Sequence, residues 1–123
     1  MFSKENYTLL IKWLNIRNNN RSAAKYLARK GYKKIAIYGM ADIGLLLYDE
    51  LKSSDIEVLY AIDRNADFLN LDVDIDIKTP EDDFDKVDAI VIASITYAEE
   101  IKDVIKDKVS YPILTIEEVI NDA

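Results

Sequence analysis

The chain has 123 residues, enough for one packed core and too few for two. It contains neither cysteine nor histidine, which excludes disulfides, thiolate metal sites and every Ser/His or Cys/His nucleophile arrangement, and it is compatible with a reducing cytoplasm. A net charge of −7 argues against nucleic acid as the main partner. No apolar run approaches the roughly 18 residues of a bilayer span and no signal-peptide core opens the chain, so a soluble, cytoplasmic protein is expected.

Charge is unevenly distributed. Residues 1–34 carry nine Lys or Arg against one acid, Glu5, a balance of +8, whereas residues 35–123 carry seven against twenty-two, a balance of −15. The N-terminal segment is therefore expected to touch the acidic body, a second copy of it or another acidic surface, unless its lysines simply solvate helix backs. This segment, residues 1–31, reads as two helices placed before an α/β domain of residues 32–123. The first helix spans Lys4 to Arg17 with Ser3 as N-cap. Tyr7, Leu10, Ile11 and Leu14 form one helical stripe, and Leu9, Trp13 and Ile16 form a second beside it. Two adjacent stripes are too wide for one shallow contact, so the helix is expected to pack on the domain and to place Trp13 at a homodimer or protein-partner contact. Arg17 to Arg21 is a turn. A second helix runs from Ser22 as cap to Lys30, with Gly31 at C′. Tyr26 and Lys30 spell the YxxxK pair of short-chain dehydrogenases, but that pair belongs after a glycine motif and this one precedes it.

Lys33 to Gly44, KKIAIYGMADIG, is a strand running into a glycine-punctuated turn and a helix. Ile35 to Tyr38 form the apolar run of a strand buried on both faces of a parallel sheet. Gly39, Ala41 and Gly44 occupy the positions of GxGxxG: the first glycine makes the tight turn, the second lets backbone approach a pyrophosphate, and the third lets helix pack on strand. Ala41 puts a methyl group at the second position. The helix from Ala41 to Ser53 is expected to bury or half-bury Leu45, Leu46, Tyr48 and Leu51. Its N-terminus would attract a phosphate, although Asp42 in the first turn is able to satisfy those amides itself. A second buried-type strand, Val58 to Ile62, ends at Asp63, where an acidic residue hydrogen-bonds a ribose 2′-hydroxyl in NAD-type sites.

Val73, Ile75 and Ile77 then alternate with Asp72, Asp74 and Asp76, a short strand with one wet face. These carboxylates lack the glycine and terminal glutamate of an EF-hand loop and read as solvated. Thr79, Pro80 and Asp82 resemble the cap, N1 and N3 of a short helical turn. Asp88 to Ser94, DAIVIAS, is the most apolar run and the expected central strand. Ligands of open parallel sheets bind outside the carboxyl ends of the strands, so Ser94, Thr96 and Tyr97 line up with Gly39 and Asp63 on one rim. A helix marked by Ile101, Val104 and Ile105 follows. The strand Tyr111 to Leu114 and a TxxE capping box at Thr115 to Glu118 complete the pattern.

The segments IAIYGMADIG, AIDRNAD, DAIVIAS and YPILTIEEVI, over about residues 32–120, resemble the small Rossmann-like domains of bacterial cell-surface polysaccharide enzymes. Such domains look like the N-terminal part of sugar-nucleotide dehydratases and sugar acetyltransferases, and occur as appendages of glycosyl- and methyltransferases. The expected architecture is α/β, a small Rossmann-like parallel sheet with helices on both faces, preceded by the N-terminal helical segment. In those relatives the glycine turn corresponds to Gly39, Ala41 and Gly44, and the acidic residue to Asp63. With Asp42, Arg64 and Ser94 beside them, these are the candidate residues for an NAD(P) or nucleotide-sugar ligand, Arg64 leaving both NAD and NADP open. Without histidine, cysteine or a convincing acid/base pair, the chain reads as a noncatalytic binding module of a polysaccharide pathway. Two alternatives stand beside this: a structural or regulatory interaction domain that kept the fold and lost the ligand, favoured by Ala41, Asp42 and the Trp13 face, and an enzyme completed across a dimer.

Overall fold

Five short strands, β1 (Lys34–Tyr38), β2 (Glu57–Ile62), β3 (Asp76–Lys78), β4 (Ala89–Ile92) and β5 (Ile113–Thr115), pair in parallel throughout, in the order β3-β2-β1-β4-β5. This is the arrangement of a computed structural model that describes residues 3–69 and 72–123. The helices are α1 (Lys4–Asn18), α2 (Ala23–Arg29), α3 (Asp42–Lys52), α4 (Ala98–Ile105) and α5 (Ile116–Asp122). The order of a small Rossmann-like sheet is thus present, with helices on both faces and helical residues ahead of β1. It reverses between β1 and β4, which makes that crevice the switch point.

β1 and β4 read as unbroken apolar runs because layers cover both of their faces. On one side Ile35, Ile37, Ala61 and Val91 pack with Leu9, Trp13, Leu27, Leu47, Leu51, Val119 and Ile120 of four helices. On the other, Ala36, Tyr38, Tyr60, Ile62, Ile90 and Ile92 pack with Ala98 and Ile105 of α4 and with Val87 and Phe84 of the coil before β4. A bulge opposite Ile35 and Ala36 lets Leu59 and Tyr60, consecutive in β2, turn to this second side. Each large apolar side chain closed off in this way contributes about 1.5–3 kcal/mol.

The expected caps form. Ser3 Oγ accepts from Asn6 N–H at 3.1 Å, Ser22 Oγ from Lys25 N–H at 3.0 Å and Thr115 Oγ1 from Glu118 N–H at 3.1 Å. Gly31 takes φ +82°, as a C′ residue does. Asp72, Asp74 and Asp76 are exposed and alternate with half-buried Val73, Ile75 and Ile77, but ladder pairing is confined to Asp76–Lys78. Thr79 to Asp82 is a turn without a helix; Asp82 Oδ2 accepts the Thr79 amide at 2.8 Å, and that closes it.

Two expectations are corrected. Leu46 is 44% exposed, because α3 faces the core with Ile43, Gly44, Leu47, Glu50 and Leu51. Trp13 is 6% exposed and packs into the chain's own core, reaching the surface only as part of the lining of an open groove between α1 and α3. Its indole N–H donates to Glu50 Oε1 at 2.8 Å, the Ala24 amide donates to Oε2 at 2.8 Å, and the Arg17 guanidinium sits 2.9 Å from Oε1. One buried carboxylate therefore ties α1, α2 and α3 together. The basic segment also finds acceptors on α5: Lys12 donates to Asn121, Arg29 to the Asp122 carbonyl and Arg21 to the Ala123 carbonyl. These acceptors are uncharged, so they anchor the segment without neutralising it; Arg17 meets a charge within the chain, at Glu50. Among the described residues, no helix is long and apolar enough to cross a membrane.

Candidate functional site

The glycine turn is built by backbone demands. Gly39 stands at φ +101°, a conformation L side chains rarely adopt. Its amide donates to the Ile62 carbonyl at 2.7 Å, and the Tyr38 carbonyl just before it accepts from Ala93 N–H at 2.8 Å. The turn leaving β1 is therefore tied to both neighbouring strands. Gly44 lies one helical turn on, where an added Cβ would stand 1.8 Å from the Gly39 carbonyl oxygen, so α3 rests directly on the turn only because no side chain intervenes. These are the turn and helix-packing roles of the first and third fingerprint positions. Ala41, in the second, is the N-cap of α3 and makes no side-chain cap.

Asp63 closes the other half of the rim. Its Oδ2 accepts the Met40 amide at 2.8 Å and its Oδ1 the Asn65 amide at 2.8 Å. The carboxylate thus clamps the loop after β1 to the end of β2 and shapes its own turn. Beside this clamp lies an open cleft of about 500 Å³. Tyr38, Gly39, Asp63, Arg64 and Asn65 form one wall; Pro80 and Glu81, with Tyr97, Glu100, Ile101 and Val104 at the start and outer face of α4, form the rest. Glu81 and Glu100 make the α4 side unfavourable for phosphates. The phenol of Tyr38, 4% exposed, is pushed above its ordinary pKa by burial, with Asp63 adding and Arg64 opposing, so at neutral pH it carries its proton.

Gly39, Asp63 and Arg64 are brought together on the cleft. Gly44 is buried beneath it, and Ala41 and Asp42 are exposed at the head of α3 without lining it. Among the described residues no amide donates to the Asp42 carboxylate. A side chain reaches the first-turn amides from the N-cap, and Asp42 is one position past it. The rim is satisfied from within by Asp63 instead. Ser94 turns its hydroxyl to the Tyr97 amide at 3.3 Å and stays off the cleft wall. Tyr38, Glu81 and Glu100 were not singled out from sequence. Tyr38 alone carried a signal there, as the last side chain of a strand whose end forms the rim. Among the described residues no group of three or more acidic side chains is placed to hold a metal ion. Comparisons with family models, with curated proteins and with solved structures return no match.

Proposed function

We propose that the chain is a nucleotide- or nucleotide-sugar-binding module, noncatalytic alone, that holds its ligand across the β1–β4 switch point and serves cell-surface polysaccharide synthesis from the cytoplasm. The observation that carries this reading is the Asp63 clamp. It fixes the Gly39 loop and the end of β2 as one prepared edge of a 500 Å³ cleft, at the place where parallel sheets take ligands. Each carboxylate oxygen has a second lone pair, so Asp63 can accept a ribose hydroxyl while it holds the loop. The head of α3, which follows Gly39 in the chain, offers backbone amides for a phosphate. A ligand-free interaction domain is the second reading, favoured by the Ala41 methyl and by the internal employment of both Asp63 oxygens.

A thermal-shift panel of NAD, NADP, their reduced forms, UDP- and CDP-sugars and coenzyme A separates the two. A ligand at a hundredfold excess over its Kd adds about 2.7 kcal/mol, a rise of roughly 10 °C or more for a domain of this size. Arg64→Ala and Tyr97→Ala, both at exposed positions, should abolish that rise without lowering the melting temperature of the free protein. Silence across the panel from a well-folded sample selects the interaction domain.

A further inference from the structure

Of the apolar stripe of α1 formed by Tyr7, Leu10, Ile11 and Leu14, only Leu10 packs against the core, half-buried. Leu9, Trp13 and Ile16 enter the core, whereas Tyr7, Ile11 and Leu14 remain 63%, 44% and 60% exposed. Leu46 of α3, also exposed, faces Leu14 across an open groove of about 380 Å³ between α1 and α3. Isolated exposed leucines are ordinary, but a run of four along one helix and its neighbour is the kind of patch that marks an interface.

We infer that this face is a two-fold interface with a second copy of the chain, in which α1 of each copy lies in the α1–α3 groove of the other. The two walls of the groove carry opposite charge, Arg17 on α1 and Asp49 on α3. Arg17 keeps half of its side chain exposed while one nitrogen holds Glu50, and Asp49 is 63% exposed in a surface pair with Lys52. In a two-fold contact residue i meets j and j meets i, so laying one α1 wall on the opposite α3 wall sets Arg17 against Asp49 of the partner subunit twice. An acidic protein or an anionic membrane satisfies Arg17 but opposes Asp49, and a basic partner does the reverse. A copy of the chain satisfies both.

The area fits as well. α1 has 15 residues and is about 22 Å long, and half the lateral surface of a cylinder about 10 Å across is roughly 350 Å². Each copy contributes that face of α1 and, as the other groove wall, a strip of α3 about half as large, roughly 500 Å² per partner, which reaches the ~1,000 Å² total a specific interface needs.

Sedimentation equilibrium from about 1 to 100 μM tests this on the intact chain. The wild type should reach twice 14.1 kDa within that range. Leu14→Glu should stay monomeric throughout, with the circular dichroism and melting temperature of the dilute wild type. Asp49→Arg, which sets like charges together, should weaken association about tenfold. Should Leu14→Glu lose helix content, Tyr7→Ser carries the same test. A wild type that is monomeric at the top of the range overturns the inference, and so does a dimer that none of these substitutions weakens.

Discussion

The two faces of the sheet are closed by different means. One is covered by α1, α2, α3 and α5, and Glu50, buried among them, accepts from the Trp13 indole and the Ala24 amide inside and meets half-exposed Arg17 at the surface. The other has α4 alone, and a coil stands where a further helix between β3 and β4 would lie. That coil is pinned from its edges. The Tyr60 hydroxyl donates to the Asp85 carbonyl at 2.6 Å, and Lys108 donates to the Pro80 and Asp82 carbonyls at 2.5 and 2.8 Å with its ammonium 4.1 Å from the Phe84 ring centre. A carboxylate sealed among three helices leaves orphaned donors if it is lost, whereas a bond at the margin of a coil is replaced by water. The thinly covered face is also the one with room for the cleft.

Glu50→Ala should produce the largest effect, about 3–5 kcal/mol by denaturant unfolding, since it strands the buried Trp13 and Ala24 N–H groups, whereas half-exposed Arg17 turns to water. A loss under 1 kcal/mol would mean that the thick face opens readily to water. Gly44→Ala tests the seam between the faces. Its Cβ meets backbone, so α3 must lift off the turn, and the cost should be near 3 kcal/mol. Tyr60→Phe, on the thin face, should cost only about 1 kcal/mol because the coil carbonyl it abandons can turn to water.

Tyr60 also gives a pH signature. Burial pushes its phenol well above the usual value near 10, so its contribution is complete below about pH 10 and is lost as pH rises beyond it. Tyr60→Phe should flatten that alkaline decline in a melting series. The smallest effect is expected at Asp88, at the start of β4. The Lys34 and Lys33 amides donate to its carboxylate at 2.9 and 2.8 Å and hold its pKa below the ordinary value. Its contribution is present above the ordinary carboxylate range near pH 4 and is lost as pH falls through the depressed value, so Asp88→Asn should soften the acid limb of the same series.

What was legible in the sequence is what backbone geometry dictates. The strands, the caps at Ser3, Ser22 and Thr115, and the turn and packing roles of Gly39 and Gly44 follow from local rules. Which stripe of α1 faces inward was not legible, because both are apolar and periodicity does not choose between them. A signal existed nonetheless. Glu50 shares the inward face of α3 with Ile43, Leu47 and Leu51, and a carboxylate there requires buried donors, which the Trp13 indole can supply. The employment of Asp63 was hidden for a similar reason: its spacing from Gly39 suits a ribose, and only the folded loop brings the Met40 amide to it.

Backbone amide NMR during titration with NAD and then with UDP- and CDP-sugars tests the proposed site most directly. The account predicts that shifts from one of these ligands concentrate at Gly39, Met40, Arg64, Asn65 and Tyr97, around the cleft on the thinly covered face. Shifts confined to the α1–α3 groove, or none at saturating ligand, would contradict it.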